Sequence, residues 1–210
     1  MSDASPRPTY RLRRLREGKG TVAELHDDLV GFVAATARFE DKAVFADVAI
    51  ACQADGSTWR CTPNRRVMPT SWRLADGGGA VTVFAQPAGR QLLNPLGRTL
   101  LTLRRERVGE TLAVVDARPA GLGRLLNLAP SDWALVRGDE ALAGIGFARG
   151  PDPRGGGEET GAGVLGRLRR LAGALAGHDR CLASRASGHA LTAPEAMVLL
   201  LLFEVLTETG

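Results

Sequence analysis

Lysine is almost missing from this chain of 210 residues: Lys19 and Lys42 are the only two among 27 basic side chains, and arginine supplies the rest. That leaves a surface of planar guanidinium forks, which suit bidentate contact with phosphate or carboxylate. The net charge of +4 permits an anionic partner without requiring one, since a chain this rich in Ala, Gly and Arg is basic by composition alone. Cysteine is scarce too. Cys52, Cys61 and Cys181 are an odd, widely spaced set in a chain of ordinary size, so reduced thiols are expected rather than a disulfide framework. Aromatic residues make up 5%, and the basic clusters lack interleaved stacking rings, which disfavours a nucleic-acid partner.

Other absences bear on location and chemistry. The N-terminal MSDASPRPTYRLRRLREGKG holds no apolar stretch of the kind a secretory leader needs, so the expected location is cytoplasmic, with a place at the membrane periphery left open. No G-x-S-x-G elbow occurs, and no Cys or Ser has a His and an Asp nearby in sequence, which weighs against an enzyme. His178 and Cys181 form an isolated H-x-x-C pair, short of the three or four ligands that zinc requires. GAGVLG (161–166) spells G-x-G-x-x-G, but GGGEET precedes it where a dinucleotide site needs a buried strand. No cofactor or metal is expected.

What is present, from Tyr10 to about Gly150, is a succession of short apolar or alternating runs broken by turn residues, the pattern of an antiparallel sheet or barrel. Strands are expected at 10–15, 28–39, 42–53, 57–63, 70–76, 80–86, 91–96, 99–108, 111–119, 133–139 and 142–149, with a last one within 179–187. Ala54-Asp55-Gly56, Asp76-Gly77-Gly78-Gly79, Val108-Gly109-Glu110 and Arg137-Gly138-Asp139-Glu140 supply residues that tolerate positive φ, as tight hairpins require. Residues 1–9 read as a disordered tail, and 10–210 as a single domain interrupted by a flexible Gly/Pro-rich loop at 150–163. After that loop, residues 164–175 place Val164, Leu165, Leu168, Leu171, Ala172 and Leu175 on one helical face, and Arg167, Arg169 and Arg170 on the other.

LTAPEAMVLLLLFEVLTETG (191–210) combines the capping residues Thr192 and Glu195 with Pro194 in the first turn, so a helix is expected from Ala193 to about Glu208. Ala196 to Phe203 offers no polar residue, so every side of this helix must be covered. Lipid is a poor cover: a membrane span needs about 20 apolar residues, and Glu195 and Glu204 bound a much shorter run. Enclosure by the chain's own sheet fits better. Many antiparallel hairpins followed by one wholly apolar helix resemble the tubby C-terminal-like superfamily, which includes LURP-one-related and phospholipid scramblase-like proteins. Hairpins such as WALVRGDEALAGIGFAR (133–149) look like its repeated units. The resemblance implies a mainly β fold: a closed antiparallel barrel of about 12 strands enclosing the C-terminal helix, to which this chain adds the amphipathic helix at about 164–176. It also implies a binding module rather than an enzyme.

The basic clusters are then the candidate sites for an anionic ligand such as a phospholipid head group: Arg65 and Arg66; Arg104, Arg105 and Arg107; and Arg167, Arg169 and Arg170. Arg105 and Arg107 would share a strand face and could clamp a phosphate. The alternative function is a structural or protein-interaction role, with the 164–175 helix docking a protein partner.

Overall fold

The computed structural model describes residues 9–17, 20–39, 47–87, 93–94, 97–117, 133–147, 180–184 and 189–208. In chain order these form β1 (Tyr10–Glu17), β2 (Gly20–Asp27), β3 (Phe32–Phe39), β4 (Val48–Cys52), β5 (Thr58–Pro63), β6 (Ser71–Asp76) and β7 (Val81–Ala85). There follow β8 (Leu93–Asn94), β9 (Gly97–Arg105), β10 (Glu110–Asp116), β11 (Trp133–Arg137), β12 (Glu140–Phe147), β13 (Arg180–Ser184) and the helix α1 (Ala193–Glu208). Each long strand pairs antiparallel with the next, β7 passes to β9, and β13 returns to β1 through Tyr10↔Leu182, Arg11↔Cys181 and Leu12↔Arg180. The result is a closed antiparallel barrel of 12 strands, with the two-residue β8 as a flap on the start of β9. Closure leaves the barrel without a free sheet edge.

The amphipathic helix expected at 164–175, the loop at 150–163 and the G-x-G-x-x-G stretch lie outside the described residues. Two strand expectations change. GTVAELHD is the strand β2, which reading the sequence does not mark, and the strand expected over 28–39 begins only at Phe32. Asp27 causes the delay: its Oδ1 accepts the amides of Leu29 at 2.9 Å and Val30 at 3.4 Å, which turns the chain before β3 can start. Cys52 and Cys61 flank one hairpin but do not pair across it. Cys61 stands opposite Val48, because the turn at 53–57 sets that register.

An up-and-down barrel has two dissimilar ends. At the turn end lie the short connections 28–31, 53–57, 77–80, 106–109 and 138–139, and with them Gly31, Gly56, Gly79, Gly109 and Gly138, all at positive φ. At the other, the loop end, the chain takes the wider connections after β3, β5, β7, β10 and β12. The helix enters at the turn end, where the Thr192 amide donates to Glu195 Oε2 at 3.0 Å and the first helical bond runs from Ala196 N–H to Thr192 C=O.

Every residue from Ala196 to Glu204 is buried. The walls meet the helix with Leu12, Leu25, Ile50, Leu74, Phe84 and Leu103, and Trp133 meets Phe203 edge-on with ring centroids 4.8 Å apart. Among the described residues no helix is long and apolar enough to cross a membrane. The interior is apolar and the outer wall carries arginines, the reverse of the polar lumen and apolar belt of a barrel that spans one.

Candidate anion-binding surface

Alternation along a strand sends neighbouring arginines to opposite sides of the wall, so each basic cluster divides into structural and available members. Arg105 faces inward. Its Nε donates to Glu195 Oε1 at 2.8 Å and its Nη2 to Glu195 Oε2 at 2.6 Å, while Nη1 reaches Glu110 Oε2 at 2.6 Å. Thr82 donates its hydroxyl to Glu195 Oε1 at 2.9 Å. Burial would push the Glu195 carboxyl up, but the Arg105 hydrogen bonds and charge, with the Thr192 amide and Thr82 hydroxyl, outweigh it and hold the group below the usual carboxylate range. The same contacts push the Arg105 guanidinium up. Arg105 is therefore part of the helix anchorage and is not available to a ligand. Arg107 lies beyond the end of β9, in the exposed turn 106–109, and does not extend a strand face with Arg105.

Arg14 plays the matching part at the other end of the apolar run. It points inward from β1, its Nη2 stands 2.8 Å from Glu204 Oε2, and its guanidinium carbon lies 5.5 Å from the centre of the Phe39 ring.

The outward arginines are brought together by register. Arg38 stands opposite Ala49, and Ala49 opposite Arg60. One row along, Thr62 stands opposite Arg73, Arg73 opposite Val83, and Val83 opposite Arg104. Directly paired residues share a face. Arg38 and Arg60 are thus two strands apart in one row and Arg73 and Arg104 two strands apart in the next, about 10 Å in each case at the usual strand spacing. All four are exposed. The outward residues between them, Ala49, Ala75, Val83 and Thr62, are small and uncharged. Within the strands β3 to β9 the single acidic residue is Asp76, and its carboxylate is occupied by the turn amides of Gly78 at 3.0 Å and Ala80 at 2.8 Å; Asp47, exposed just before β4, and Asp55, exposed in the turn after it, lie at the margins. Arg104 also touches Glu106 at 3.3 Å, a solvent-exposed contact worth little.

The band continues into the connection between β5 and β6 at the loop end. Asn64 ties that loop shut: its Nδ2 donates to Thr70 Oγ1 at 3.1 Å, and its Oδ1 accepts the Thr70 and Ser71 amides at 3.1 and 3.3 Å. Arg65 Nε donates to the Met68 carbonyl at 2.6 Å. Met68 has φ of 49°, the one residue other than glycine with positive φ among those described. Arg65 and Arg66 are both exposed here.

Of the clusters expected from sequence, Arg65 and Arg66 adjoin the band, Arg104 belongs to it, Arg105 is internal and Arg107 sits at the opposite end of the barrel from Arg65 and Arg66. Arg167, Arg169 and Arg170 lie outside the described residues. Sequence reading misses Arg38, Arg60 and Arg73, each isolated in its own strand; register alone makes them neighbours.

A second polar group closes the turn end. His189 Nε2 stands 2.8 Å from Asp27 Oδ2, and the His189 ring stacks on Tyr10 with centroids 4.3 Å apart. Burial, then the Asp27 charge, pushes the Tyr10 hydroxyl up to about 12. The cluster knits β1, β2 and the segment before α1 together, with the tyrosine ring covering the imidazole face. Its members are too far apart in sequence to be seen as a set. Burial likewise pushes the Cys61 thiol up to about 12, so this cysteine is an inert core residue. Among the described residues no three His, Cys, Asp or Glu side chains are placed to hold a metal.

No family model, no curated protein and no solved structure matches this chain.

Proposed function

We propose that this protein is a non-enzymatic binding module that docks the arginine-bearing wall of its barrel on an anionic phospholipid surface. The observation that supports this reading is the pair of register rows holding Arg38, Arg60, Arg73 and Arg104 on a background of small neutral side chains. Guanidinium forks spread over several strands match head-group phosphates presented side by side, and each basic residue near such a surface adds about 1 kcal/mol. The barrel interior is filled by α1, so the outer wall is the larger surface on offer for recognition. A closed barrel around an apolar helix also supports placing the chain with tubby-like, LURP-one-related and scramblase-like proteins, as the hairpin pattern suggests.

Cosedimentation with vesicles containing phosphatidylserine, at low and at high salt, tests the reading. Binding is expected at low salt and is expected to fall steeply at high salt as screening shortens the reach of the arginines. The double substitution Arg60→Gln, Arg73→Gln removes two of the four wall charges and should weaken binding roughly 30-fold, from about 1 kcal/mol for each charge. Binding that ignores both salt and this substitution would exclude the arginine wall as the docking face.

A further inference from the structure

We infer that the 64–70 loop is an insertion tip: Val67 and Met68 enter the outer edge of a lipid bilayer while Arg65 and Arg66 stay at the phosphates. The inference rests on the phospholipid reading above and names the part of the surface that distinguishes a bilayer from a soluble anion. Val67 is 77% exposed and Met68 79%, the two most exposed large apolar side chains among the described residues. They are consecutive in sequence and stand at the tip of a loop, NRRVMPT, that holds no acidic residue. An anion dissolved in water offers these two side chains nothing, whereas a bilayer offers hydrocarbon beside phosphate.

The tip is also held in place before any partner arrives. Asn64 bonds both flanks of the loop, the Asn64 amide donates to the Ser71 carbonyl at 2.9 Å, and Pro69 is buried behind the tip. Arg65 bonds the Met68 carbonyl and so stabilises the left-handed backbone that turns the Met68 side chain outward. A preordered tip loses little conformational freedom on docking. Two apolar side chains alone bind a membrane weakly, and basic charge alone is screened by salt. Stable peripheral attachment takes two such signals together, and the loop and the arginine wall next to it supply both.

The opposite end of the barrel provides an internal control. Leu29, Val30 and Phe32 are 51%, 58% and 48% exposed around the turn between β2 and β3, but the arginine beside them, Arg11, is paired with Asp28 at 2.9 Å, so that tip lacks the unneutralised basic pair that Arg65 and Arg66 give the 64–70 loop.

The experiment compares three full-length proteins on vesicles of phosphatidylcholine with and without phosphatidylserine: wild type, Val67→Asn with Met68→Asn, and Leu29→Asn with Val30→Asn. Both sites are exposed, so all three are expected to fold alike, which thermal unfolding verifies. The loop variant should lose roughly tenfold in partitioning, equivalent to about 1.4 kcal/mol, and the turn variant should match wild type. In a Met68→Trp variant, lipids brominated on their upper acyl chain should quench the added fluorescence. Salt-sensitive binding by wild type that the loop variant retains in full, or an unquenched Trp, overturns insertion and leaves the phospholipid reading standing. Absence of binding by wild type at low salt overturns both.

Discussion

Glu195 and Glu204 each bury a carboxylate at one end of the apolar run of α1, and each meets a guanidinium from the wall, Arg105 and Arg14 respectively. Carboxylates placed there without partners would destabilise the barrel; paired, they fix how far the helix is threaded through it. The Glu195 carboxyl is held below its ordinary range, so the folded state takes up that proton less readily than the unfolded chain. Its contribution is present above the unfolded value of about 4.3 and is lost as pH falls through the lower folded value. Glu195→Gln should cost about 3 kcal/mol at neutral pH by leaving Arg105 without its main partner. Denaturant titrations at neutral and acid pH should show the gap between variant and wild type narrowing in acid. A variant equal to wild type at neutral pH would remove the anchoring role. Tyr10 acts at the other extreme. Its hydroxyl is pushed up to about 12, so the stability it lends is complete below about pH 10 and disappears as pH rises towards the folded value. Tyr10 is the sole tyrosine, so tyrosinate absorbance reports it alone and should appear together with alkaline unfolding. Tyr10→Phe should leave stability flatter over that window.

Among the elements, α1 is the most legible from sequence. Its capping residues, its length and its lack of a polar face are all local properties, and the structure has a 16-residue helix from Ala193 to Glu208 with every residue of the run Ala196 to Phe203 buried. Leu199 lies at its centre with no exposure. Leu199→Asp should therefore prevent folding, because a carboxylate at that depth costs more than about 5 kcal/mol, the lower end of what such domains possess. Loss of near-ultraviolet circular dichroism and of solubility are the expected signs, and a soluble, folded variant would overturn the enclosed-helix reading. The four turns foreseen around Gly56, Gly79, Gly109 and Gly138 are equally local, and each glycine is left-handed. β2 is hidden for the opposite reason. Its inward face offers only the apolar Ala23 and Leu25 before Asp27, whose partner His189 comes from the far end of the chain. Nothing near it in sequence marks it as half-buried.

For the molecule as a whole, parity along a strand is legible but register between strands is not. Arg104 and Arg105 had to face opposite ways; which of them met the helix depended on where Glu195 came to rest. Arg38, Arg60 and Arg73 become neighbours only when the four strands β3 to β6 are aligned, which is why no sequence cluster contains them. Charge is accordingly uneven among the strands: those from β3 to β9 carry one acidic residue, Asp76, whereas Glu24, Asp27, Glu110, Asp116 and Glu140 lie on others. The closing of β13 onto β1 has a further consequence, for the order in which the protein can be made. Of the described strands β1 is made first and β13, which closes onto it, last, and the helix that fills the barrel is made after both. Until α1 emerges, the walls have no filling to close around, so the nascent sheet stays open with its apolar face wet. Such a chain folds late and depends on being shielded during synthesis, whatever the stability of the finished barrel.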